Sequence, residues 1–389
     1  MDSSLYNIGG TVKIKGTVDI KILQQSISNF VRDNATIRLQ FCEQDQQVLQ
    51  YVSDKILPID FVDFSHEPNP AKAYERWVHT HSHTAFKMDN SPLYYFAVFQ
   101  LDRETMGYFV KIHHILADGW SMKLLTEQVK NNYESYHSGP KFHPLVTDSP
   151  YLHYVHAEQE YLHTDSAQAA KKHWNGHCND SAFISSPPSF GLYGCRRTFP
   201  VESSFQKRLE SFIKCHGITL NTFFVGIYLI YAYKQSGEKS GIIGTPLLGR
   251  SSKAERSIFG TFTNTMPFCY TMMPSRSSIE LFRDISNKLK RNYKYQKLPF
   301  DILKEEQNLS ENGIALPFAC CINYYNTVLS QTIAGKSIEN IEFYNGAQAY
   351  PMQLILRHWE EQKLQIDIDY QTEAYSEPQI LNLYEQLMR

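Results

Sequence analysis

Two adjacent histidines followed by an Asp-Gly pair are the residues of this sequence best suited to chemistry. They stand in the segment Ile112-His113-His114-Ile115-Leu116-Ala117-Asp118-Gly119-Trp120-Ser121. An imidazole has a reference pKa of about 6.5, so it can exchange a proton near neutral pH. The aromatic and β-branched run before the histidines predicts a strand, on which neighbouring side chains point to opposite faces. We therefore expect one histidine to face a cleft and the other to face the interior.

Asp118 and Gly119 lie where the predicted strand turns into a helix. The carboxylate of Asp118 can fix the tautomer of a histidine or pair with a distant cation, and the sequence leaves both alternatives open. Gly119 has no Cβ and lets a ligand or another backbone approach closely. On the residues alone, a histidine pair is more often structural than catalytic, and an Asp-Gly pair is often only a turn.

The spacing of apolar residues predicts the helices and strands that position this motif. The first half is expected to contain strands at 11–15, 93–101 and 108–114, a hairpin of 37–41 with 48–52, and helices from residue 20, at 71–83, at 121–136 and at 151–162. The second half is expected to contain helices at 205–215, 219–234, 279–293 and 377–388, and strands at 241–244, 318–324, 341–344, 352–357 and 364–370. This pattern predicts an α+β fold with mixed or antiparallel sheets flanked by helices.

A change in composition divides the chain into two parts. Residues 166–192 are rich in Ser, Pro, Gly and other polar residues, which is typical of a linker, and they include Ser185-Ser186-Pro187-Pro188-Ser189. We predict an N-terminal lobe over residues 1–165, which carries the histidine motif, a linker over 166–192, and a C-terminal lobe over 193–389. The length of 389 residues agrees with two domains or with three small ones.

The composition excludes several classes of protein. The 38 Lys and Arg against 40 Asp and Glu give a net charge of -2 without basic blocks, so nucleic acid is not an expected partner. Hydrophobic residues at 42% and aromatic residues at 13% are typical of a folded globular protein. The most apolar stretch, residues 223–233, is shorter than the roughly 20 residues that cross a bilayer, so it predicts a buried helix and no membrane association.

The cysteines and histidines outside the motif suggest no further chemistry. The seven cysteines are scattered and nowhere spaced as C-x-x-C, so they predict neither a disulfide framework nor a zinc ribbon. Since no signal-peptide pattern follows Met1, we expect reduced thiols in a cytoplasmic protein. His79, His81 and His83 alternate on a predicted helix, where alternate residues do not share a face, so no metal site is expected. The cysteines are Cys42, Cys178, Cys195, Cys215, Cys269, Cys320 and Cys321.

The segment from His113 to Gly119 resembles the HHxxxDG signature of the condensation domains of nonribosomal peptide synthetases, in the chloramphenicol acetyltransferase-like superfamily. Other blocks of that family have similar segments here in the same order. Residues 33–41 resemble RHExLRTxF at Ile37-Arg38 and Phe41, although the leading RHE is absent. Residues 151–154 resemble YxDY, with His153 in place of Asp, and residues 244–250 resemble GTPxxGR. Residues 258–265 resemble IGxFVNT, with Thr263 in place of Val and one extra residue before Gly260. Residues 295–301 resemble HQxxPFE.

Two features separate this sequence from other members of that family. The family's first block, ahead of the first strand, has no counterpart here, so we expect a shortened N-terminus. The DxxxxD pattern of heterocyclisation domains is absent from His113 to Asp118, which argues against ring formation. The blocks at 244–250 and 258–265 are more similar to those of peptide-bond-forming members than to those of epimerisation domains.

The resemblance implies a fold of two acetyltransferase-like lobes arranged in a V, with an active-site tunnel between them. It also implies the reaction that the domain catalyses. Upstream and downstream carrier proteins, next to an adenylation domain, would deliver a donor acyl or peptidyl thioester and an acceptor aminoacyl thioester on phosphopantetheine arms. The acceptor amine would attack the donor carbonyl to give an amide, in the biosynthesis of a natural product such as an antibiotic. No permanently bound cofactor and no metal are implied.

The resemblance also implies roles for single residues. His114 is the catalytic candidate, as a general base or as a group that positions the amine, and His113 and Gly119 are fixed by the same motif. Asp118 is expected to form a structural ion pair with Arg250 of the second lobe. Trp120 and Asn323 are expected to line the tunnel.

Two other functions stay open on the sequence. A free-standing coenzyme A-dependent acyltransferase of the same superfamily shares HxxxDG but needs no carrier protein. A noncatalytic recruiting domain of the same fold tends to lose the second histidine, which is present here as His114.

Overall fold

A computed structural model of the chain describes residues 3–136, 144–177, 191–309, 317–360 and 363–389. The helices are α1 (Ile20–Asp33), α2 (Pro70–His83), α3 (Gly119–Ser135), α4 (Pro150–Tyr161), α5 (Asp165–His177), α6 (Ser203–His216), α7 (Leu220–Ser236), α8 (Ser278–Lys294), α9 (Phe300–Glu306) and α10 (Glu377–Met388). The strands are β1 (Asn7–Lys15), β2 (Leu39–Gln44), β3 (Gln47–Val52), β4 (Asp60–Asp63), β5 (Tyr94–Gln100), β6 (Thr105–His113), β7 (Gly194–Pro200), β8 (Ser240–Leu247), β9 (Asn264–Thr271), β10 (Cys320–Tyr325), β11 (Thr332–Ile333), β12 (Lys336–Glu342), β13 (Met352–Glu360) and β14 (Lys363–Gln371). The predicted α+β class with mixed sheets flanked by helices is confirmed.

The contacts divide the chain into two units. The first unit contains Met1–His156, Arg250–Phe262 and Thr327–Gly346, and the second contains Ala157–Gly249, Thr263–Asn326 and Ala347–Arg389. The chain therefore leaves the first unit within α4 and returns to it twice. The predicted lobes of 1–165 and 193–389 differ from these units in the two returning segments and at residues 157–165, which belong to the second unit.

The first unit is built on a six-stranded sheet in the order β11-β12-β1-β6-β5-β4. One face packs against α1 and α3, because their apolar residues recur at helical spacing and share one core with β1 and β6. Asp19 begins α1 by accepting a hydrogen bond from the amide of Ile22. The other face carries α2, whose Tyr74 donates a hydrogen bond to Thr11 on β1. The sheet therefore holds β6, the strand that leads into the histidine motif, between two helical layers.

The returning segments complete this first unit. Strand β12 pairs antiparallel with β1 over Gly10 to Ile14. A Cβ at Gly10 would lie 2.1 Å from the carbonyl oxygen of Ile341, so this close approach requires glycine. Phe259 reaches the core and packs edge-on against Phe30, with ring centroids 5.3 Å apart. Local spacing does not show which unit such segments join, and this is why the predicted boundaries differ.

The second unit has its own six-stranded sheet, in the order β7-β14-β13-β10-β8-β9. Strand β10 is parallel to both of its neighbours, and the other pairs are antiparallel. Helices α6, α7, α8 and α10 form one core with the apolar residues of this sheet. On β14 the core residue Ile368 alternates with Asp367 and Asp369, which pair with Arg357 and Arg196.

The described part of the predicted linker is helical. Residues 166–177 belong to α5, and Ala170 and Trp174 are buried in a cluster with Leu298. The indole N–H of Trp174 donates to the carbonyl of Tyr295 at 3.1 Å. The polar composition of this segment did not predict a helix, because only the residues on the buried face of α5 are apolar. Residues 178–190, which include Ser185 to Ser189, lie outside the described residues.

Several smaller elements differ from the predicted ones. Strands β4, β7, β9 and β11 and helix α9 were not predicted from the sequence. The strand predicted at 341–344 is the end of β12, which begins at Lys336 and belongs to the first unit. The predicted hairpin is β2 with β3, and its bounds shift by about two residues.

The cysteines differ from the prediction at one position. Cys269 is disulfide-bonded, so the expectation of reduced thiols throughout is wrong there. Sequence spacing could not reveal this bond, because it does not show which side chains meet in the fold. Cys178 lies outside the described residues, and the remaining cysteines, Cys42, Cys195, Cys215, Cys320 and Cys321, are free.

Within the part of the chain that is described, no single helix is both long and apolar enough to cross a membrane. Helices α6 and α7 reach that length and composition only together, and the chain bends by 101° between them.

A buried polar cluster joins α5 to α8 in the second unit. His173 donates through Nε2 to Asn292 Oδ1 at 3.0 Å, and Asn292 Nδ2 donates to His177 Nε2 at 3.2 Å. Burial lowers the pKa of His177 to about 4, with further lowering by the charges of His173, Lys288 and Arg291. His177 is therefore a neutral hydrogen-bond acceptor near pH 7.

We expect this cluster to make the protein acid-sensitive. The pKa of His177 is about 4 when folded against about 6.5 when unfolded, so the unfolded chain binds the proton first as the pH falls. The stability is complete above about pH 6.5 and decreases toward pH 4, by about 2 to 3 kcal/mol from this group. His177→Gln should flatten the pH dependence of urea denaturation between pH 6.5 and 4.5. His156→Gln, at an exposed position, is the control, and equal slopes in both variants would contradict this assignment.

Candidate active site

Strand β6 ends at the first histidine of the motif. The amide of His113 donates to the carbonyl of Leu93, and the amide of His114 donates to the carbonyl of Tyr6 at 2.7 Å. Ile112 is fully buried in the core, so the alternation along β6 turns the side chain of His113 to the opposite face of the sheet. A turn follows, closed by the amide of Leu116 on the carbonyl of His113.

His113 is held as a neutral imidazole. Burial, with a smaller contribution from the charge of His114, lowers the pKa of His113 to about 4. Its Nδ1 accepts a hydrogen bond from the amide of Ile115 at 3.2 Å, which leaves the ring proton on Nε2. The rings of Tyr6 and Phe86 lie 5.6 and 6.4 Å from the His113 ring. His113 is therefore a neutral ring that lies against two aromatic side chains.

His114 is fixed by its backbone and not by its ring. Its amide donates to Tyr6, and its carbonyl accepts from the hydroxyl of Thr261. The side chain is half-buried, and within the described ranges no residue forms a hydrogen bond with its ring nitrogens.

Asp118 caps α3 and pairs with Arg250. Its Oδ1 accepts from the amide of Ser121 at 2.9 Å, and its Oδ2 accepts from the amide of Phe262 at 3.0 Å. Arg250 Nη2 lies 3.0 and 3.1 Å from the two carboxylate oxygens, and both side chains are 0% exposed. Of the two alternatives open on the sequence, the carboxylate thus pairs with a distant cation.

The position of Arg250 differs from what the resemblance implies. We expected this arginine in the second lobe, whereas the segment Arg250–Phe262 belongs to the first unit. Arg250 Nη1 donates to the carbonyls of Glu255 and Ile258, and Nη2 donates to the carbonyl of Gly260. Its guanidinium carbon lies 3.8 Å from the ring centroid of Phe262. Burial lowers the pKa of Arg250, and the charge of Asp118 opposes this shift.

Residues 250–262 also bind the start of α3 through Ser121, whose role was not predicted. Ser121 Oγ donates to the carbonyl of Gly260 at 2.7 Å and accepts from its amide at 3.0 Å. A Cβ at Gly260 would lie 2.2 Å from the ring of Tyr151, so only glycine fits under α4. Tyr151 in turn donates to the carbonyl of Thr261. The blocks at 151–154 and 258–265 include Tyr151, Gly260 and Thr261, whereas Ser121 lies two residues after the histidine motif and outside every block.

The other residues expected at the site are placed as follows. Gly119 is the exposed first residue of α3, and Trp120 donates its indole N–H to the carbonyl of Arg256 at 2.8 Å. Asn323 is half-buried on β10, in the second unit. The roles of Gly119, Trp120 and Asn323 toward a substrate stay predictions.

Residues of the remaining blocks form hydrogen bonds that connect separate segments of the chain. In the first unit, Arg38 is buried and donates to the carbonyls of Val31, Ser53 and Val146. In the second unit, the amide of Gly249 donates to Gln296, which connects two further blocks. Asn264 connects the block at 258–265 with that at 295–301, by donating to the carbonyl of Leu298 and accepting from the amide of Phe300.

Among the described residues, the histidines and cysteines outside the motif do not form a metal site. His79 and His83 stack on each other with centroids 3.9 Å apart, whereas His81 stacks on Tyr95. Across the residues that the structure describes, no group of three or more His, Cys, Asp or Glu could hold a metal ion. Burial raises the pKa of the Cys320 thiol to about 12, so it is unreactive near neutral pH.

We expect Arg250→Met to destabilise the protein by about 3 to 5 kcal/mol, because it leaves the carboxylate of Asp118 buried without its cation. Asp118→Asn combined with Arg250→Met should cost less than the sum of the two single changes. Urea denaturation of the four proteins measures this coupling. Arg276→Met is the matched control, because its ion pair with Asp284 is partly exposed and should contribute less than about 1 kcal/mol. Equal losses in Arg250→Met and Arg276→Met would refute the role of the buried pair.

Two synthases from Bacillus species are similar to the chain along nearly its whole length. Surfactin synthase subunit 1 of Bacillus subtilis (strain 168) is 21% identical over 401 residues, which cover 99% of this chain and 11% of that protein. Bacitracin synthase 1 of Bacillus licheniformis is 22% identical over 399 residues, which cover 98% of this chain and 7% of that protein. The chain thus spans only a small part of these relatives.

Two solved structures share the fold. The first condensation domain of the calcium-dependent antibiotic synthetase, in complex with a substrate analogue, has a TM-score of 0.86 at 18% identity, over 100% of this chain and 90% of that one. The starter condensation domain of rhizomide synthetase has a TM-score of 0.86 at 20% identity, over 100% and 88%. The predicted chloramphenicol acetyltransferase-like fold is thereby confirmed.

The histidine motif, the buried ion pair and the shared fold all point to one family. The family model described as Condensation domain matches residues 1–389, and the chain belongs to the condensation domain family.

Proposed function

We propose that this chain forms an amide bond between two thioesters. The donor is an acyl or peptidyl thioester, and the acceptor is the amine of an aminoacyl thioester. Upstream and downstream carrier proteins present both on phosphopantetheine arms, and an adenylation domain is the proposed neighbour. The relatives support this proposal, since they are synthases of which the chain spans one part.

The single observation that carries the proposal is the state of His114. Its backbone is held on both sides, by Tyr6 and Thr261, while its imidazole is half-buried and has no hydrogen-bond partner within the described residues. A group held in this way is oriented in advance and still able to bind a proton or an amine. Such preorganisation is what acid-base or positioning catalysis requires.

The reaction needs few protein groups. The acceptor nitrogen attacks the donor carbonyl carbon, the C–S bond breaks, and the amine loses one proton while the departing thiolate gains one. The free amine has a reference pKa of about 7.7 to 8.0, so a fraction is already neutral near pH 7. Holding two thioesters in attack geometry can supply an effective molarity of about 10⁵ M or more. His114 accepts the amine proton or orients the amine through its free ring nitrogens.

The other motif residues support His114 and do not react. His113 is neutral at pH 7, because burial lowers its pKa to about 4. Asp118 and Arg250 are fully buried and bound to each other, so they are proposed to fix the turn that carries His114. Gly119, Trp120 and Asn323 are proposed to border the bound substrates.

A coenzyme A donor is the second candidate, and one observation favours it. The starter condensation domain of rhizomide synthetase, which shares the fold, was solved in complex with C8-CoA and Leu-SNAC. An acyl-coenzyme A therefore belongs in the test as an alternative donor.

The deciding experiment is intact-protein mass spectrometry of the loaded carrier proteins in the presence of this chain. Transfer of the donor group onto the acceptor, with the mass of one new amide, supports the proposed reaction. Equal turnover of an acyl-coenzyme A and a free amine, without any carrier protein, would instead support the second candidate. Absence of both reactions would refute catalysis and favour a recruiting domain.

His114→Ala should slow single-turnover amide formation by about 10² to 10⁴ if the imidazole is a general base, because proton transfer by a positioned side chain contributes that much. The melting temperature should stay close to that of the unchanged protein, since the ring makes no hydrogen bond within the described residues. His163→Ala, at an exposed position, is the control. A nearly unchanged rate in folded His114→Ala would exclude the role as a base.

A further inference from the structure

We propose that Thr261 is a positioning residue for His114, an inference that rests on the proposed function. Its hydroxyl donates to the main-chain carbonyl of His114 across 147 positions of sequence. The amide of His114 is held separately, by the carbonyl of Tyr6. Thr261 therefore binds the peptide group that follows His114, whereas Tyr6 binds the one that precedes it.

The peptide group after His114 needs this contact because it lies outside the strand. Strand β6 ends at His113, and His114 begins the turn that leads to Asp118. A carbonyl in a turn can rotate when nothing binds it, and the rotation moves the side chain of the same residue. A hydrogen bond from the half-buried Thr261 therefore restricts the direction in which the imidazole points.

Thr261 is itself held firmly enough to act in this way. Its own carbonyl accepts a hydrogen bond from Tyr151 of α4 at 2.9 Å. On one side, both main-chain groups of Gly260 are bound to Ser121 Oγ. On the other side, the amide of Phe262 donates to Asp118. The hydroxyl thus extends from a backbone whose neighbours are anchored to the start of α3.

The position of Thr261 in its block separates this role from that of the ion pair. In the resemblance to IGxFVNT, Thr261 occupies the variable position, between Gly260 and Phe262. Only a side chain with a hydroxyl close to the backbone can donate from there, so serine should replace threonine and valine should not. The hydrogen bond of Thr261 positions His114. Unlike the residues next to it in the block, Thr261 contributes neither a contact with the buried ion pair nor core packing.

The test compares Thr261→Val, which keeps the shape and removes the hydroxyl, with Thr261→Ser, which keeps the hydroxyl. Single-turnover amide formation between loaded carrier proteins should slow about 10- to 100-fold in Thr261→Val, since small misplacements of a catalytic group cost about that much. The apparent KM for both carriers and the melting temperature should stay unchanged, and Thr261→Ser should recover the rate. Thr126→Val is the control, because Thr126 is buried and its hydroxyl also donates to a main-chain carbonyl, that of Lys123.

A second measurement does not depend on activity. The ¹³Cε1–¹H resonance of the His114 imidazole, assigned with His114→Gln, should move in Thr261→Val and stay in place in Thr261→Ser and Thr126→Val. In the His114→Gln background, Thr261→Val should slow the reaction no further, because the two residues act as a unit. If Thr261→Val does not fold, Thr261→Ala takes its place in every arm.

The outcomes distinguish this inference from the proposed function. An unchanged rate and an unmoved resonance in Thr261→Val would overturn the positioning role. An equal slowing with and without His114 would overturn it as well, since Thr261 would then act on something else. If the unchanged protein forms no amide while Thr261→Val still moves the resonance, the proposed function fails and the positioning of His114 stands.

Discussion

Asp118 and Arg250 are both fully buried, and burying an ion costs several kcal/mol unless other groups replace its water. Here they do, because Asp118 accepts from two amides in addition to Arg250, and Arg250 reaches three carbonyls. A lysine would offer a single point charge and could not span these acceptors as a planar guanidinium does. The pair therefore specifies one arrangement of the turn after His114, and any change of position leaves charges without partners.

This arrangement unites distant parts of the chain. Asp118 and Arg250 are separated by 132 positions, and the segment Arg250–Phe262 leaves the second unit to join the first. Contacts between such distant positions carry a large entropy cost of loop closure and tend to form late in folding. The contacts around His114 are therefore complete only when the segment Arg250–Phe262 has packed against the first unit. The same holds for β12, which reaches β1 from the C-terminal half.

Sequence reasoning succeeded where the signal is local. The helix predicted at 121–136 corresponds to α3, and β6 follows from its aromatic and β-branched run. Sequence reasoning failed where a strand pairs with a segment that is distant in sequence, as β12 does. It also failed where only a narrow face of a helix is apolar, as in α5. The resemblance identified Arg250 and its block, yet it gave no role to Ser121 or Thr261. Their roles depend on which carbonyl each hydroxyl meets, and no spacing in the sequence contains that information.

The two histidines are held in different ways, and the difference follows from the alternation of side chains along β6. His113 points away from the core side of the sheet into an aromatic cluster, where burial keeps it neutral and its Nδ1 is bound by the following turn. His114 leaves the strand, so its ring escapes both the core and the turn, while its two main-chain groups are bound by Tyr6 and Thr261. A histidine bound through its ring would be a poor base, and a histidine free in its backbone would be poorly aimed. Only the second of these two adjacent histidines, at the point where the strand ends, combines the two features that the proposed role of His114 requires.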